Sequence, residues 1–269
     1  MKTLCVIPTP IGNMQDVSDH VRQALGQVEV LFCESISHTR KLYQLLDIPL
    51  PKLVRYWQKT EQEVVDSLSQ LTESQFGLVT DAGMPCISDP GYRLVSAWHE
   101  RSWLVRVIPG PSALVVAVAL SGIAAESFQF LGFLPPKSKA CQSRLSVLKD
   151  SGMAGVLYES PHRIERLCSD ICAVYGDSHL ICVMRELSKK FESYYQGPAA
   201  QVVQDLKSSV VKGEFCVVIS KAEVLPSWQK DAGILRSYLS VADAANACAK
   251  IHSVSKSSVY RYLLEQEGS

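Results

Sequence analysis

The stretch "FGLVTDAGMPCISDPG", from Phe76 to Gly91, joins a short apolar run to a segment of glycine, proline and small polar residues. The apolar run Phe76–Val79 predicts a buried β-strand. The glycines and prolines that follow it indicate a sharp turn away from the strand. A turn explains one such junction, but the same pattern follows several other strand-like runs of this chain, so a common ligand-binding edge is the better interpretation.

Apolar, β-branched runs alternate along the chain with longer segments of helical period, which is typical of α/β units. Helices are predicted between the strands, for example at Val17–Leu25, Gln62–Leu71 and Ile164–Tyr175. The predicted fold class is therefore α/β. Eight strands are predicted, at Thr3–Ile7, Val28–Cys33, Lys52–Tyr56, Phe76–Val79, Leu104–Ile108, Gly155–Tyr158, Leu180–Met184 and Phe215–Ile219.

Two breaks in the pattern, near Leu120–Phe128 and after Lys221, predict three domains. These are an N-terminal α/β domain (1–120), a second α/β domain (121–222) and a C-terminal helical segment (223–269). In the last segment, "VADAANACAKIHSVSKSSVYRYLLEQ" predicts two short helices joined by "HSVSKSS", similar to a helix-turn-helix. Both a docking subdomain and an RNA-binding unit fit that pattern.

The composition is that of an ordinary globular protein, with 47% apolar residues, 20% charged residues and a formal net charge of zero. Neutrality argues against tight non-specific binding of nucleic acid, which depends on clustered Lys and Arg. No apolar run approaches the roughly 18 residues of a membrane helix, and the start is too weakly apolar for a secretory signal. We therefore expect a cytoplasmic protein with no membrane partner. The nine cysteines fit a reducing compartment, and their spacing predicts no metal site.

Ligands of open α/β sheets collect at the carboxyl ends of the strands. Small, bendable or charged residues follow six of the predicted strands, and glycines there let the backbone approach a flat, polar ligand closely. There is no GxGxxG, GxxxxGK[ST] or GxSxG motif, so a dinucleotide cradle, a P-loop and a nucleophile elbow are not supported. The six segments are "PTPIGN", "ESISHT", "TDAGMPCISDPG", "PGPSA", "ESPHR" and "RELSKK".

Seven motifs together resemble the tetrapyrrole-methylase superfamily, and within it the ribosomal RNA small subunit methyltransferase I branch. They occur in the same order as in that branch, and the resemblance spans nearly the whole chain. Each motif is weak alone, but seven in register are specific. They are "VIPTPIGNMQD", "TDAGMPCISDPGYRLV", "IPGPSAL", "FLGFLPPKSK", "YESPHRI", "RELSKKFE" and "GEFCVVI".

The resemblance implies a class III methyltransferase-like fold, with two α/β domains and the cofactor cleft between them, plus a small C-terminal helical subdomain. It implies S-adenosyl-L-methionine as the cofactor and a homodimer. The implied reaction is 2′-O-methylation of a cytidine in small-subunit ribosomal RNA. The partner would be that RNA or the small ribosomal subunit.

Carried over position by position, the resemblance also implies site residues, and the strand ends offer others. The first domain would bind the cofactor through Pro8, Asp81, Ala82, Gly83, Ile87, Ser112 and Ala113, and the second through Leu157, Tyr158 and Leu187. Three strand-end carboxylates are candidates for the general base, although each could equally anchor an arginine: Glu34, Glu159 and Glu186. Four cations suit RNA phosphates or surface ion pairs: Arg163, Arg185, Lys189 and Lys190. Trp57 and Tyr194 could stack on a base or belong to the core.

The chain departs from the family pattern in two places. The second strand ends in Glu34-Ser35-Ile36-Ser37, where the family has Glu-Asp-Thr-Arg. A His- and Asn-containing stretch after the third strand is replaced by Trp57–Glu61. These changes concern substrate identity or catalysis rather than the cofactor loops. Two alternatives therefore stay open: a methyltransferase for a tetrapyrrole-like small molecule, and a cofactor-binding protein that has lost catalysis.

Overall fold

The computed structural model describes residues 1–223 and 227–267, so residues 224–226 and 268–269 of the predicted third domain lie outside the described residues. Within these ranges the chain forms ten strands and eleven α-helices. None of these helices combines the length and apolarity needed to cross a membrane. The strands are β1 (Thr3–Val6), β2 (Val30–Cys33), β3 (Lys52–Arg55), β4 (Gln75–Val79), β5 (Leu104–Val107), β6 (Phe128–Phe133), β7 (Ala154–Glu159), β8 (Leu180–Arg185), β9 (Ser193–Pro198) and β10 (Phe215–Ile219). The helices are α1 (Asp19–Gln27), α2 (Ile36–Leu46), α3 (Glu61–Ser67), α4 (Tyr92–Glu100), α5 (Ala113–Ser121), α6 (Ser138–Ser151), α7 (Ile164–Tyr175), α8 (Ala199–Lys207), α9 (Ser227–Arg236), α10 (Val241–His252) and α11 (Lys256–Glu267).

The first sheet is parallel, with strand order β3-β2-β4-β1-β5. One face buries Phe32 and Trp98, and the opposite face buries Leu31 and Tyr43. Burial on both faces explains why the interior strands β2 and β4 appear in the sequence as continuous apolar runs rather than alternating ones. Because all five strands run the same way, the segments that follow β1, β2, β4 and β5 lie at one edge of the sheet.

The second sheet is mixed, with strand order β6-β7-β10-β8-β9. β10 is antiparallel to both β7 and β8, so β7 and β8 run in the same direction. The carboxyl ends of β7 and β8 therefore share an edge with the amino end of β10. "ESPHR" and "RELSKK" thus lie at one edge, as the sequence predicted, and Glu214 joins them from the antiparallel strand.

The predicted α/β class is confirmed, but the sequence missed two strands of the second sheet, β6 and β9. Both are edge strands whose patterns are interrupted. β6 has a register shift between Phe130 and Gly132, and Gly132 has φ +58°. β9 ends in Gly197-Pro198, residues that normally argue against a strand and are tolerated at an edge.

Helix α5 connects the first sheet to the second and also packs on it. Its sequence, "ALVVAVALS", is apolar almost throughout. Ala117 is fully buried in a cluster with Val156, Met184 and Val218 of the second sheet. The side-chain amide of Gln196 donates a hydrogen bond to the Ser121 carbonyl at 2.7 Å. A helix that follows β5 thus covers one face of the other sheet and holds the two sheets together.

The chain forms two compact units, one made of Met1–Leu148 with Met153–Lys221 and one made of Lys149–Gly152 with the described part of Ala222–Ser269. Both sheets lie in the first unit, so the boundary at residue 120 stays a prediction. In the second unit, α9 precedes the two predicted helices. The buried residues Ala244, Cys248 and Leu263 form part of its small core, and Ser240 caps α10 by accepting from the Asp243 amide at 3.1 Å.

Candidate active site

The loops that follow β1 and β4 are joined by backbone hydrogen bonds. The Thr9 amide donates to the Gly83 carbonyl at 2.9 Å, and the Gly83 amide donates to the Thr9 carbonyl at 3.0 Å. Gly83 has φ +82°, a conformation that favours glycine. The loop after β5 packs against the same place, since a Cβ on Gly110 would lie 2.3 Å from Pro8 Cγ. "PTPIGN", "TDAGMPCISDPG" and "PGPSA" therefore form one surface.

Residues of the second sheet close this surface from the other side. A Cβ on Gly12 would lie 2.2 Å from Lys189 Cγ, so the loop after β8 rests directly on the loop after β1. The Ser188 hydroxyl hydrogen-bonds to the Asp16 carboxylate. A Cβ on Gly132 would lie 3.0 Å from Ser88 Oγ, which brings β6 against the loop after β4.

These loops enclose a cavity of about 410 Å³ between the edges of the two sheets. Eight of the ten residues predicted to bind the cofactor line it: Asp81, Ala82, Gly83, Ile87, Ser112, Ala113, Tyr158 and Leu187. Pro8 is buried against Gly110 and does not line the cavity. The Leu157 side chain points into the core on the opposite face of its sheet, because successive residues of a strand face opposite sides. The cavity therefore gathers loops that are distant in sequence.

The lining is acidic as well as apolar. Among the described residues, five carboxylates line the cavity, and no Lys, Arg or His does. Arg163 and Lys189, which pair with two of these carboxylates, lie outside the lining, and the His38 ring lies 3.0 Å from the Asp81 carboxylate. The five are Glu34, Asp81, Asp89, Glu159 and Glu214. This arrangement favours a ligand that carries positive charge on a partly apolar body.

Asp89 is a candidate that the sequence interpretation missed. Burial raises the pKa of Asp89 to about 7, and the charge of the Glu34 carboxylate contributes to the increase. A carboxyl group that titrates near neutrality in a cavity is a recognised sign of a functional site. Its position within "TDAGMPCISDPG" was the available signal in the sequence. The glycines and prolines of that segment predicted a cofactor loop, but they did not indicate which of its carboxylates would be buried.

The three predicted catalytic carboxylates have different surroundings in the structure. Glu34 lines the cavity and accepts from the Asp81 amide at 3.3 Å. Glu159 also lines it, but its two oxygens each accept from Arg163 at 2.7 Å, and its side chain is only 3% exposed. Glu186 lies outside the lining and pairs with Lys189 at 2.9 Å. The arginine-anchoring alternative thus describes Glu159, whereas Glu186 is held by a lysine.

Glu186 shows what this anchoring does to a carboxyl group. Burial acts to raise its pKa, but hydrogen bonds from Lys189 and the Glu214 amide outweigh burial and hold the pKa below its usual range. Its oxygen lies over Gly213, where an added Cβ would be 2.3 Å away. Such a group is a poor proton acceptor near neutral pH, because Brønsted behaviour favours a pKa close to the working pH.

The four predicted substrate cations also lie outside the cavity lining. Arg163 is held by Glu159 and by the Leu134 carbonyl at 3.0 Å. Arg185 donates to the carbonyls of Lys212 at 2.6 Å and Phe191 at 3.2 Å. Lys190 is exposed, 5.5 Å from the Phe191 ring. Arg163 and Lys189 thus hold two carboxylates of the lining in place. Arg185 instead joins the loop after β8 to the segment that precedes β10.

The two aromatic candidates have different surroundings. Trp57 is partly buried, with Arg55 4.6 Å and Lys59 5.2 Å from its ring centroid. Tyr194 is 56% exposed, so the core alternative is wrong for it. Within the described ranges, no group of three or more His, Cys, Asp or Glu side chains is arranged to hold a metal ion.

Solved structures share this fold. Diphthine synthase superposes with a TM-score of 0.62 at 12% identity, covering 81% of this chain and 90% of that protein. A uroporphyrin-III-C-methyltransferase from Thermus thermophilus superposes with a TM-score of 0.57 at 14% identity, covering 82% and 95%. This chain therefore has the fold that diphthine synthase and uroporphyrin-III-C-methyltransferase share.

Sequence comparison identifies the family. The profile of the tetrapyrrole (corrin/porphyrin) methylases matches residues 3–203. The ribosomal RNA small subunit methyltransferase I of Escherichia coli O157:H7 is 33% identical, with 98% of this chain and 96% of that protein aligned. The protein of the same name from a Synechocystis species is 32% identical, with 99% of each aligned. The chain belongs to the tetrapyrrole methylase family and, within it, to the ribosomal RNA small subunit methyltransferase I group, which confirms the predicted family.

Proposed function

We propose that S-adenosyl-L-methionine binds in the cavity between the two sheets. The observation that carries this proposal is the lining, which combines apolar side chains with five carboxylates and has no cationic side chain among the described residues. The cofactor has a sulfonium and an ammonium group against one carboxylate, so its net charge is positive. Gly83 and Ala113 offer backbone close to the ligand, and Tyr158 and Leu187 supply apolar contact.

The methyl acceptor proposed for this site is a ribose 2′-hydroxyl of a cytidine in small-subunit ribosomal RNA. The names of the relatives support an RNA of the small subunit. The cofactor supplies an activated methyl group when it is bound. The chain's own residues would align the hydroxyl with that group, exclude water and accept one proton. Alignment alone supplies up to roughly 7–11 kcal/mol of the barrier reduction in well-oriented reactions.

The remaining parts of the proposal concern partners and location. The small ribosomal subunit is the proposed partner, a homodimer is the proposed assembly, and the cytoplasm is the proposed compartment. The second compact unit is the proposed RNA-docking element, because Lys256, Tyr260 and Arg261 line an exposed depression on α11.

The test is transfer of a radiolabelled methyl group by the purified protein to small subunits that lack the modification. Nuclease mapping then distinguishes ribose from base. Label on a cytidine ribose is the expected result. Label on a base would identify a different methyltransferase, and cofactor binding without any transfer to RNA would favour one of the two alternatives. Transfer to tetrapyrroles, assayed in parallel, separates those alternatives.

A further inference from the structure

Asp89 is held in the cavity by a tightly folded segment of the loop after β4. Cys86 and Ser88 both have positive φ, at +73° and +61°. The Cys86 amide donates to the Pro90 carbonyl at 3.3 Å, which closes the turn around Asp89. Backbone conformations of this kind cost free energy in residues other than glycine and cluster at functional sites. The loop is thus shaped to present a particular side chain.

Negative groups face Asp89 from three directions. Glu34 approaches from the end of β2, Asp81 from the start of the same loop, and Glu214 from the amino end of β10. Their charges add to the effect of burial, and the pKa of Asp89 rises to about 7 as a result. Such a group is ionised in part at neutral pH and still basic enough to accept a proton.

The other charged groups nearby are engaged with one another. Lys189 hydrogen-bonds Glu214 at 2.9 Å, and Arg163 is paired with Glu159. The remaining titratable groups that interact with Asp89 are Cys86 in its own loop and Tyr158 on β7, and burial raises the pKa of both above their usual values. Both are therefore neutral near pH 7 and do not compete for the role of base.

We propose that Asp89 is the general base of the methyl transfer, accepting the proton of the ribose hydroxyl as that oxygen attacks. The inference rests on the function proposed above and deepens it. In the step, the oxygen-to-methyl bond forms, the sulfur-to-methyl bond breaks, and the sulfur leaves with the bonding pair as a neutral thioether. The hydroxyl proton passes to the Asp89 carboxylate and then to solvent, so charge and atoms balance without another reactant.

The experiment measures single-turnover methyl transfer to small subunits, at saturating cofactor, from pH 5.5 to pH 9. It compares the wild-type protein with Asp89→Asn, which keeps the side-chain shape, and with Glu34→Gln. For the wild type we expect the rate to rise with pH and level off above an inflection near neutrality. Asp89→Asn should lower the plateau by about 10²–10⁴-fold, the usual contribution of a general base, and abolish the inflection. Calorimetry on Asp89→Asn measures cofactor affinity separately, so that saturation can be maintained and a loss of cofactor binding is distinguished from a loss of the chemical step.

Glu34→Gln distinguishes the base from a group that only shapes the cavity. Removing the Glu34 charge should move the inflection to lower pH, because that charge helps to raise the pKa of Asp89. If Asp89→Asn transfers methyl groups at the wild-type rate, or keeps the inflection, Asp89 is not the base. Loss of the inflection in Glu34→Gln alone would assign the role to Glu34. If the wild-type protein itself transfers no methyl group to ribose, the proposed function and this role both fail.

Discussion

Thr9 and Gly83 exchange a pair of backbone hydrogen bonds across the top of the first sheet, at 2.9 and 3.0 Å. The two residues are 74 positions apart in the chain and follow neighbouring strands, β1 and β4. The Thr9 hydroxyl adds a third hydrogen bond, to the Thr80 carbonyl at 3.0 Å. The pair fixes two loops of the cavity to each other, so the position of Gly83 is set before a ligand arrives.

Replacing Gly83 by valine should lower cofactor affinity by about tenfold or more, equivalent to roughly 1.4 kcal/mol. The branched side chain would stand in the cavity, with its Cβ 3.4 Å from Ile11 Cγ2. Isothermal titration calorimetry on the folded variant measures the effect.

Gly176→Val provides the matched control for this change. Gly176 has φ +95° and nothing within 4 Å of its Cβ position, so the control carries a similar backbone cost of about 1–3 kcal/mol at a distance from the cavity. It should lose stability and keep its affinity. Equal affinity losses in the two variants would remove Gly83 from the site.

Replacing Arg163 by alanine should destabilise the protein by about 2–3 kcal/mol. The change leaves Glu159, which is 3% exposed, without its bidentate partner. Removing one partner of a fully buried pair costs about 3–5 kcal/mol, and the expected loss is smaller here because 23% of the Arg163 side chain is exposed. Urea unfolding at pH 7 measures the loss. The double variant Glu159→Gln, Arg163→Met should be more stable than Arg163→Ala, and an equally unstable double variant would contradict the charge argument.

Replacing Asp89 by asparagine should make stability less dependent on pH. The Asp89 pKa is raised from 3.8 to about 7 in the folded protein, so the folded state binds more protons than the unfolded state between these values. Stability from this group is fully present below the unfolded pKa and is lost as pH rises through the folded pKa. The free energy of unfolding of Asp89→Asn should therefore be similar to that of the wild type near pH 4. At pH 8 the variant should be more stable, by on the order of 1 kcal/mol after allowance for solvent screening. Thermal unfolding across this range tests it, and a difference that stays constant with pH would show that Asp89 titrates normally.

Replacing both Lys256 and Arg261 by alanine should weaken binding to small-subunit RNA and reduce its salt dependence. Both residues are exposed on α11. If each contacts one phosphate, the slope of log affinity against log salt should fall by about 2. The control removes two exposed cations of the first unit, Arg22 and Lys207, and should leave the slope unchanged. Cofactor affinity should not change in either variant, because the cavity is lined by the first unit alone. An unaltered slope in the α11 variant would exclude this face of the helix as an RNA contact.

Much of the fold and part of the site could be predicted from the sequence, because their signals are local. Apolar runs such as Phe76–Val79 indicate buried strands whatever surrounds them. Glycines such as Gly83 are needed where the backbone adopts positive φ. Placing ligand residues after the strands then follows from the parallel sheet, and eight of the ten predicted cofactor residues do line one cavity.

The tertiary structure alone decided which neighbours those residues have. Because β10 is antiparallel to β7, Glu214 enters the cavity from the amino end of a strand. The sequence analysis searched for ligand residues at the carboxyl ends of strands and therefore missed it. The alternation of β7 sends Tyr158 into the cavity and Leu157 into the core. The pKa of Asp89 depends on burial and on Glu34 and Glu214, which lie 55 and 125 positions away in the chain. Electrostatic environment is a sum over groups that folding brings together, so no local pattern of residues contains it.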